Sequence, residues 1–372
     1  MRILHVSSAR TLGGGERHLA DLARGLAARG HELFAALRPG SPLRPELAAL
    51  PAENFLELPL RNSLDLPSAA RLARFARERD IQIIHAHMAR DYTLAAFAAR
   101  STRSRTRLVI TRHVLFPMSR AHAWTLAGAA RVIAVSEPVA RALRAQGIFP
   151  EERIRVVTNG IEFEEIERRA RSFDRAALRR TLAGDAELIV GTVGELSPVK
   201  GHEEFVRAAS IVSREFGGRV RFLVVGEDAS PKRETRARLE RLVNELNLQR
   251  GVLMLGRRRD LSEILAALDL FVSASRTEAF GLAIVEAMAC GAPVLATATE
   301  GAREIIRDGE TGRLTPVGDA DTLATRVCVL LADARERARL AENAREAGRT
   351  RFGLARMVEA TEEIYREALG EG

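Results

Sequence analysis

Apolar positions along the chain fall into two alternating patterns. Short, nearly continuous apolar runs are separated by longer Ala- and Arg-rich stretches whose apolar residues recur at helical spacing. The runs Arg2–Ser7, Glu32–Leu37, Ile81–His87, Arg107–His113, Arg131–Val135 and Ile154–Thr158 read as strands. After Ile161 the pattern restarts with Glu187–Val193, Val220–Val225, Val252–Leu255, Leu268–Ser273 and Pro293–Ala296. Between strands, Arg17–Arg29 is typical: Leu19, Leu22, Ala23 and Leu26 share one helical face. Strand and helix in alternation predict α/β domains with parallel sheets and right-handed crossovers. Strands apolar on both faces predict sheets covered on both sides.

The restart divides the chain. Residues 161–186 are charged, rich in helix formers and end in a Gly-Asp stop. They predict a joint between two doubly wound domains, 1–165 and 186–350, with 166–185 as linker. The stretch 323–369 reads as two or three helices, and 351–372 is expected to pack back on the first domain. In such sheets ligands sit beyond the carboxyl ends of the strands. Two facing domains would put those ends across one interdomain cleft.

Composition narrows the class. At 372 residues, 46% hydrophobic and 28% charged, the chain is globular and sized for about two domains. No apolar stretch is long enough for a transmembrane helix, and MRILHVSSAR carries no secretory leader pattern. Cys290 and Cys328 alone build neither a disulfide framework nor a cysteine-rich zinc site. A cytoplasmic enzyme is the expectation. Residues 1–160 hold 24 Arg, no Lys and 13 acids, a net +11, whereas the whole chain is +8. A basic first half points to an anionic partner, although 55 of 57 basic residues are Arg and coding bias contributes.

Three post-strand loops could carry chemistry. Thr11–Glu16 contains Gly13, Gly14 and Gly15 immediately before a helix, where N–H groups can meet a phosphate. His18 stands where a dinucleotide fingerprint needs glycine, and Arg38 closes a strand that lacks the ribose-binding acid. Tight-turn geometry alone remains open. Gly191–Gly201 repeats the strand, glycine loop and helix, with Gly194 in the loop and Lys200 at the helix start. No Gly-Lys-Ser/Thr follows, so a P-loop is not expected. In Ser273–Gly291 a helix should begin near Phe280, leaving the N–H groups of Phe280, Gly281 and Leu282 for a diphosphate. Glu278 would face the site from the loop, and Glu286 would follow on the helix. Sugar hydroxyls would satisfy two such carboxylates, but a helix-start Glu plus a solvent-facing Glu fits equally well. His85 and His87 in HAH suggest a metal pair, yet the sequence shows no further ligands beside them. No metal is expected.

The segment EAFGLAIVEAMACGAPV, with Glu278 and Glu286, resembles the signature of retaining glycosyltransferase family 4. So do GGGE at 13–16, AVSEPVA at 134–140, TNGIE at 158–162, VGELSPVKGH at 193–202 and ATEGAREIIRDGETG at 298–312. The resemblance implies the GT-B architecture, two facing Rossmann-like domains, and residue roles. Gly14 and Gly15 would lie near the donor diphosphate, with Gly194 and Phe280–Leu282 also on the donor. Lys200 would contact phosphate, Glu278 the transferred sugar and Glu286 the nucleotide ribose. His113, closing ITRH, would reach the donor sugar. Where the family usually carries an arginine, this chain has Glu195. A carboxylate there would repel a diphosphate, so Glu195 should turn away or the clamp be built differently, with Arg257, Arg258 or Arg259 as substitutes.

The resemblance further implies a metal-independent hexosyltransferase with no cofactor beyond a nucleotide-sugar co-substrate, UDP- or GDP-sugar being favoured. Sugar would pass with retention to a glycan or lipid-linked acceptor in cell-envelope biosynthesis. Arg71, Arg74 and Arg77 on one helical face, and Arg103, Arg105 and Arg107 before a strand, extend the expectation to an anionic membrane surface at the inner face of the cytoplasmic membrane. Two rivals are a non-catalytic nucleotide-sugar-binding protein, which Glu195 alone favours, and a nucleotide-sugar epimerase, which the two-Glu signature disfavours. Nucleic acid is not expected, with 5% aromatics and no recognisable module.

Overall fold

The computed structural model describes residues 1–102, 106–230 and 232–371. It divides into two compact units: Met1–Gly160 with the C-terminal segment from Leu354, and Ile161–Gly353.

In the first unit seven parallel strands form one sheet: β1 (Arg2–Ser7), β2 (Glu32–Leu37), β3 (Phe55–Glu57), β4 (Ile83–Ala86), β5 (Arg107–Arg112), β6 (Ala129–Ala134) and β7 (Ile154–Val156), in the order β3-β2-β1-β4-β5-β6-β7. The chain winds outward from β1 in one direction and then from β4 in the other, so the order reverses between β1 and β4. Their register pairs His5 with His85. Helix Gly14–Ala28 buries Leu19, Leu22, Ala23 and Leu26, the predicted face. Against it lies the last helix, Leu354–Leu369, so close that a Cβ on Gly25 would overlap Val358. This helix is anchored through its last turns. Tyr365, fully buried, bonds His85 Nδ1 at 2.6 Å, and Glu367 pairs with Arg131 and Arg155, each at 2.9 Å.

The second unit holds six parallel strands: β8 (Leu188–Val193), β9 (Val220–Val225), β10 (Val252–Gly256), β11 (Leu270–Ser273), β12 (Val294–Thr297) and β13 (Arg313–Thr315). Their order, β10-β9-β8-β11-β12-β13, reverses between β8 and β11. Helices cover the sheet, and Phe205, Val206, Val212, Phe222 and Leu239 lie in its core.

One expectation is corrected. Residues 166–185 are not a linker: most form helices Phe163–Arg171 and Arg175–Ala183 of the second unit. Phe163 is buried there against Gly348, and Arg179 bonds Asp269 at 2.9 Å, so the segment's charge partly faces its own unit. The stretch 323–369 does form successive helices as expected, three of them: Ala320–Ala332, Ala334–Arg351 and Leu354–Leu369. The break between the last two at Phe352–Gly353 coincides with the change of unit.

Candidate functional site

Both sheets reverse order once, and both candidate clusters lie at the carboxyl ends of the strands flanking that reversal. This is where open α/β sheets bind ligands, because diverging crossovers leave a crevice there.

In the second unit the two flanking strands are β8 and β11. After β8 the chain passes Gly194 and Glu195, makes a 3-10 turn at Pro198–Lys200, and enters helix His202–Glu215. Gly201 carries φ 64°, and any Cβ there would overlap the Ala274 carbonyl, so only glycine allows the two loops to touch. The Lys200 stem lies across Gly194, 3.4 Å from where a Cβ would be. Lys200 Nζ then meets Glu278 Oε2 at 2.7 Å, and Ser275 Oγ approaches the same oxygen at 3.3 Å. Thr297 holds the Ser275 carbonyl from β12. Lys200 and Glu278 keep 29% and 15% of their side chains accessible, so the pair is open to a ligand.

The loop after β11 is built on a second close approach. A Cβ on Gly301 would lie 2.5 Å from the Phe280 carbonyl and 2.8 Å from that of Glu278. The Gly301 N–H bonds the Glu278 carbonyl at 3.1 Å. Phe280 is buried edge-on against Phe352. Helix Leu282–Ala289 starts two residues later than expected, because Gly281, at φ 115°, turns the chain into it. The Ile284 and Val285 N–H groups both reach the Gly281 carbonyl. The N–H groups of Gly281, Leu282 and Ala283 therefore precede the first intrahelical bond and face outward from the helix start. Glu286 is half-buried one turn on.

Glu195 is exposed, and its backbone carbonyl is held by His202 Nε2 at 3.1 Å. The buried His202 is pushed down to about 4 by desolvation and is neutral at pH 7. None of the three candidate arginines joins this cluster. They follow the edge strand β10, where Arg258 is bound to Asp260 by bonds of 2.8 and 2.6 Å, and Arg257 and Arg259 are exposed. The residue beside the site is Arg276, paired with Glu204.

In the first unit the flanking strands are β1 and β4. Gly13 caps helix Gly14–Ala28 and donates its N–H to Glu16 Oε2 at 2.9 Å. Gly14 and Gly15 form the first turn, and the His113 ring lies 3.5 Å from where a Gly15 Cβ would be. His113 is not alone. The sequence offered no companions for His85 and His87, but folding brings His5 from β1, His18 from the first helix and His113 from the end of β5 to the same place. His18 and His113 rings meet edge-on at 4.8 Å, and His85 and His87 lie tilted at 4.0 Å. Burial pushes His5 down to about 3 and His18 to about 4, and lowers His85, His87 and His113 well below the usual imidazole value, so all five are neutral at pH 7.

Not every ring nitrogen is satisfied. His85 bonds Tyr365 and Thr111 Oγ1, each at 2.6 Å, and His5 Nδ1 meets His87 Nε2 at 3.0 Å. Nε2 of His5, Nδ1 of His18, Nδ1 of His87 and Nε2 of His113 are buried without a protein partner among the described residues. Leaving such a group unpaired costs roughly 1–3 kcal/mol. Asp91, also unpredicted, lies on the helix after β4 and accepts the Ser8 N–H at 2.8 Å; desolvation pushes its carboxyl up to about 6.

The basic face has mixed outcomes. Arg71, Arg74 and Arg77 are exposed on helix Leu66–Glu78, while Arg103 and Arg105 lie outside the described residues. No described helix is long and apolar enough to cross a membrane.

Residues 12–165 match the family model described as Glycosyltransferase Family 4, and residues 174–347 match Glycosyl transferases group 1. The chain is 28% identical to N-acetyl-alpha-D-glucosaminyl L-malate synthase of Bacillus anthracis, over 96% of this chain and 95% of that protein. It is 32% identical to a D-inositol 3-phosphate glycosyltransferase of Nocardia farcinica, over 78% of this chain and 67% of the relative. The crystal structure of Anabaena Alr3699/HepE in complex with UDP-glucose matches with a TM-score of 0.86 at 27% identity, covering 98% of each chain.

Proposed function

Because the chain belongs to glycosyltransferase family 4, we propose that it moves a sugar from a nucleotide-sugar to an acceptor hydroxyl with retention at the anomeric carbon. The observation that carries this reading is the Lys200–Glu278 pair at 2.7 Å, set beside an open helix N-terminus where the second sheet reverses order. A UDP-glucose complex of a similar structure supports a nucleotide-sugar, with UDP the first base to try.

The chemistry follows from charge. As the bond between the anomeric carbon and the diphosphate breaks, negative charge grows on the leaving group. Lys200 and the N–H groups of Gly281 and Leu282 are fixed donors for that charge and need no reorganisation at the moment of reaction. Glu278 takes sugar hydroxyls in exchange for the Lys200 ammonium, and Glu286 takes the ribose. Phe280 sets the loop, and Gly194 gives Lys200 its path. The same reading assigns His113 to the transferred sugar and Gly14 and Gly15 to the diphosphate. The acceptor oxygen attacks from the face the diphosphate leaves, and its proton passes to the departing phosphate oxygen. No bridging metal is part of this route.

The acceptor is anionic or lipid-linked, such as a lipopolysaccharide, glycolipid or exopolysaccharide precursor. Supporting this are the +11 first half, exposed Arg71, Arg74 and Arg77, and exposed Leu64, Leu66, Phe116 and Trp124 in the same unit. The L-malate and inositol 3-phosphate in the relatives' names are also anions. Such a surface suits peripheral attachment at the cytoplasmic membrane face.

The test is a thermal-shift screen against nucleotides and nucleotide-sugars. A donor at about 100 times its Kd stabilises the native state by roughly 2.7 kcal/mol. Lys200→Ala should remove most of the shift for diphosphate ligands and leave that for the nucleoside. A folded protein silent to every nucleotide-sugar would overturn the reading and favour a non-catalytic role.

A further inference from the structure

The first unit gathers more imidazole than a sugar contact needs. His18, His87 and His113 come from three separate elements, and one ring nitrogen of each lies within 4.8 Å of the other two. Each also carries a buried ring nitrogen with no protein partner among the described residues. His18 and His87 are 2% and 4% exposed. Three neutral imidazoles gathered from separate elements, with ring nitrogens within 4.8 Å of one another, form the donor set of a borderline divalent ion rather than of Mg²⁺ or Ca²⁺, which take oxygen.

The surroundings support that donor set. A metal-bound histidine ordinarily gives its other ring nitrogen to a second group that fixes the ring. His87 meets this condition through Nε2, 3.0 Å from His5 Nδ1. His18 lies beside the Asn159 side chain, which favours its protonated form against the effect of burial. His85 is excluded as a ligand because Tyr365 and Thr111 occupy both of its nitrogens.

We propose that His18, His87 and His113 form a three-nitrogen site for a borderline divalent transition metal ion, Zn²⁺ or Co²⁺ among those available to it, beside the first turn of helix Gly14–Ala28. Three protein nitrogens leave a fourth position for water or an anionic oxygen. An ion there holds His113 away from any other task. That consequence for transfer rests on the role given to His113 above; the binding itself does not.

Co²⁺ titration of the full chain, freed of metal by chelation, is the direct test. One equivalent should produce the visible ligand-field absorption of a four-coordinate ion, displaced by Zn²⁺. His18→Ala and His87→Ala should each weaken binding by more than the roughly 10–100-fold that loss of an outer-shell partner brings, and His5→Asn should weaken it within that range. His31→Ala and His122→Ala should leave it unchanged. His87→Cys guards against mere misfolding, because a thiolate ligand adds a sulfur-to-cobalt charge-transfer band that an unfolded site cannot give. Absence of the visible band, or a band that survives both His18→Ala and His87→Ala, overturns the site and leaves a hydrogen-bonded imidazole network. Zn²⁺ should also inhibit transfer in step with occupancy, reversed by chelator. A bound ion with transfer unaffected would retain the site and refute the role given to His113.

Discussion

Lowering the pH from 7.5 to 5 in chelator should destabilise the first unit, and the magnitude can be worked from its buried groups. An unfolded histidine titrates near 6.5, whereas His18 is held down to about 4 and His5 to about 3, both chiefly by desolvation. Between those values the unfolded chain binds protons that the folded one refuses, so stability falls as pH falls. The loss begins near pH 6.5 and is complete for each group only below its folded value. At pH 5 each of these two groups contributes about 2 kcal/mol of destabilisation. His85, His87 and His113 are shifted in the same direction and add to it. Asp91 opposes them. Its carboxyl is raised from 3.8 to about 6, so the folded state gains a proton first, which returns about 1.4 kcal/mol at pH 5. The histidines win, with a net loss of at least about 2 kcal/mol. Urea melts by circular dichroism across this range, with proteolytic peptides assigning the loss to residues 1–160, would measure it. The single Trp124 is 89% exposed and a poor reporter of this core. A first unit whose stability stays flat or rises between pH 7 and 5 would show that these imidazoles are not held neutral by burial.

Three substitutions test the rest of the framework. Glu278→Ala should lower transfer roughly a hundredfold or more while nucleotide affinity stays within a few-fold, since it removes the group placed to position the sugar; steady-state kinetics with a binding titration separate the two, and normal turnover refutes the assignment. Gly301→Ala pushes a methyl group onto the Glu278 and Phe280 backbone, so it should cost about 1–3 kcal/mol and reduce turnover with it; unchanged melting and kinetics would mean the loop yields freely. Tyr365→Phe removes the bond to His85 and leaves Nδ1 buried and unpaired, a loss of about 1–3 kcal/mol in urea melts, and an unaltered midpoint would show that this bond does not hold the last helix.

The parallel sheets were legible because each buried strand is a continuous apolar run. Arg2–Ser7, Glu32–Leu37 and Val220–Val225 could be read to the residue. The strands not foreseen, Phe55–Glu57 and Arg313–Thr315, are three-residue edges, half-buried and without that signal. The helices at 163–171 and 175–183 were hidden by charge: in the first, arginines and glutamates pair locally, as Arg169 does with Glu165, and resemble a solvated linker, while the second is Arg-rich and finds partners such as Asp269 only through the fold. In the second unit the motif residues Lys200 and Glu278 could be listed, but not their ion pair, which depends on Gly201 and Gly301 admitting one backbone against another. The histidine cluster was least visible. Its members are 5, 18, 85, 87 and 113, and only the strand order that sets β1 against β4, and β4 against β5, makes them neighbours.

That same order has a consequence for biosynthesis. The first unit is discontinuous, because residues 161–353 are made before its final helix emerges. His85 waits 280 residues for Tyr365, about 15–55 s at 5–20 residues per second on the ribosome. Through that interval the face of helix Gly14–Ala28 that will receive Val358 remains uncovered, while the second unit, continuous in sequence, can finish first. The nascent chain therefore carries a completed domain ahead of an unfinished one, and its apolar seam is a natural point for chaperone engagement or premature association.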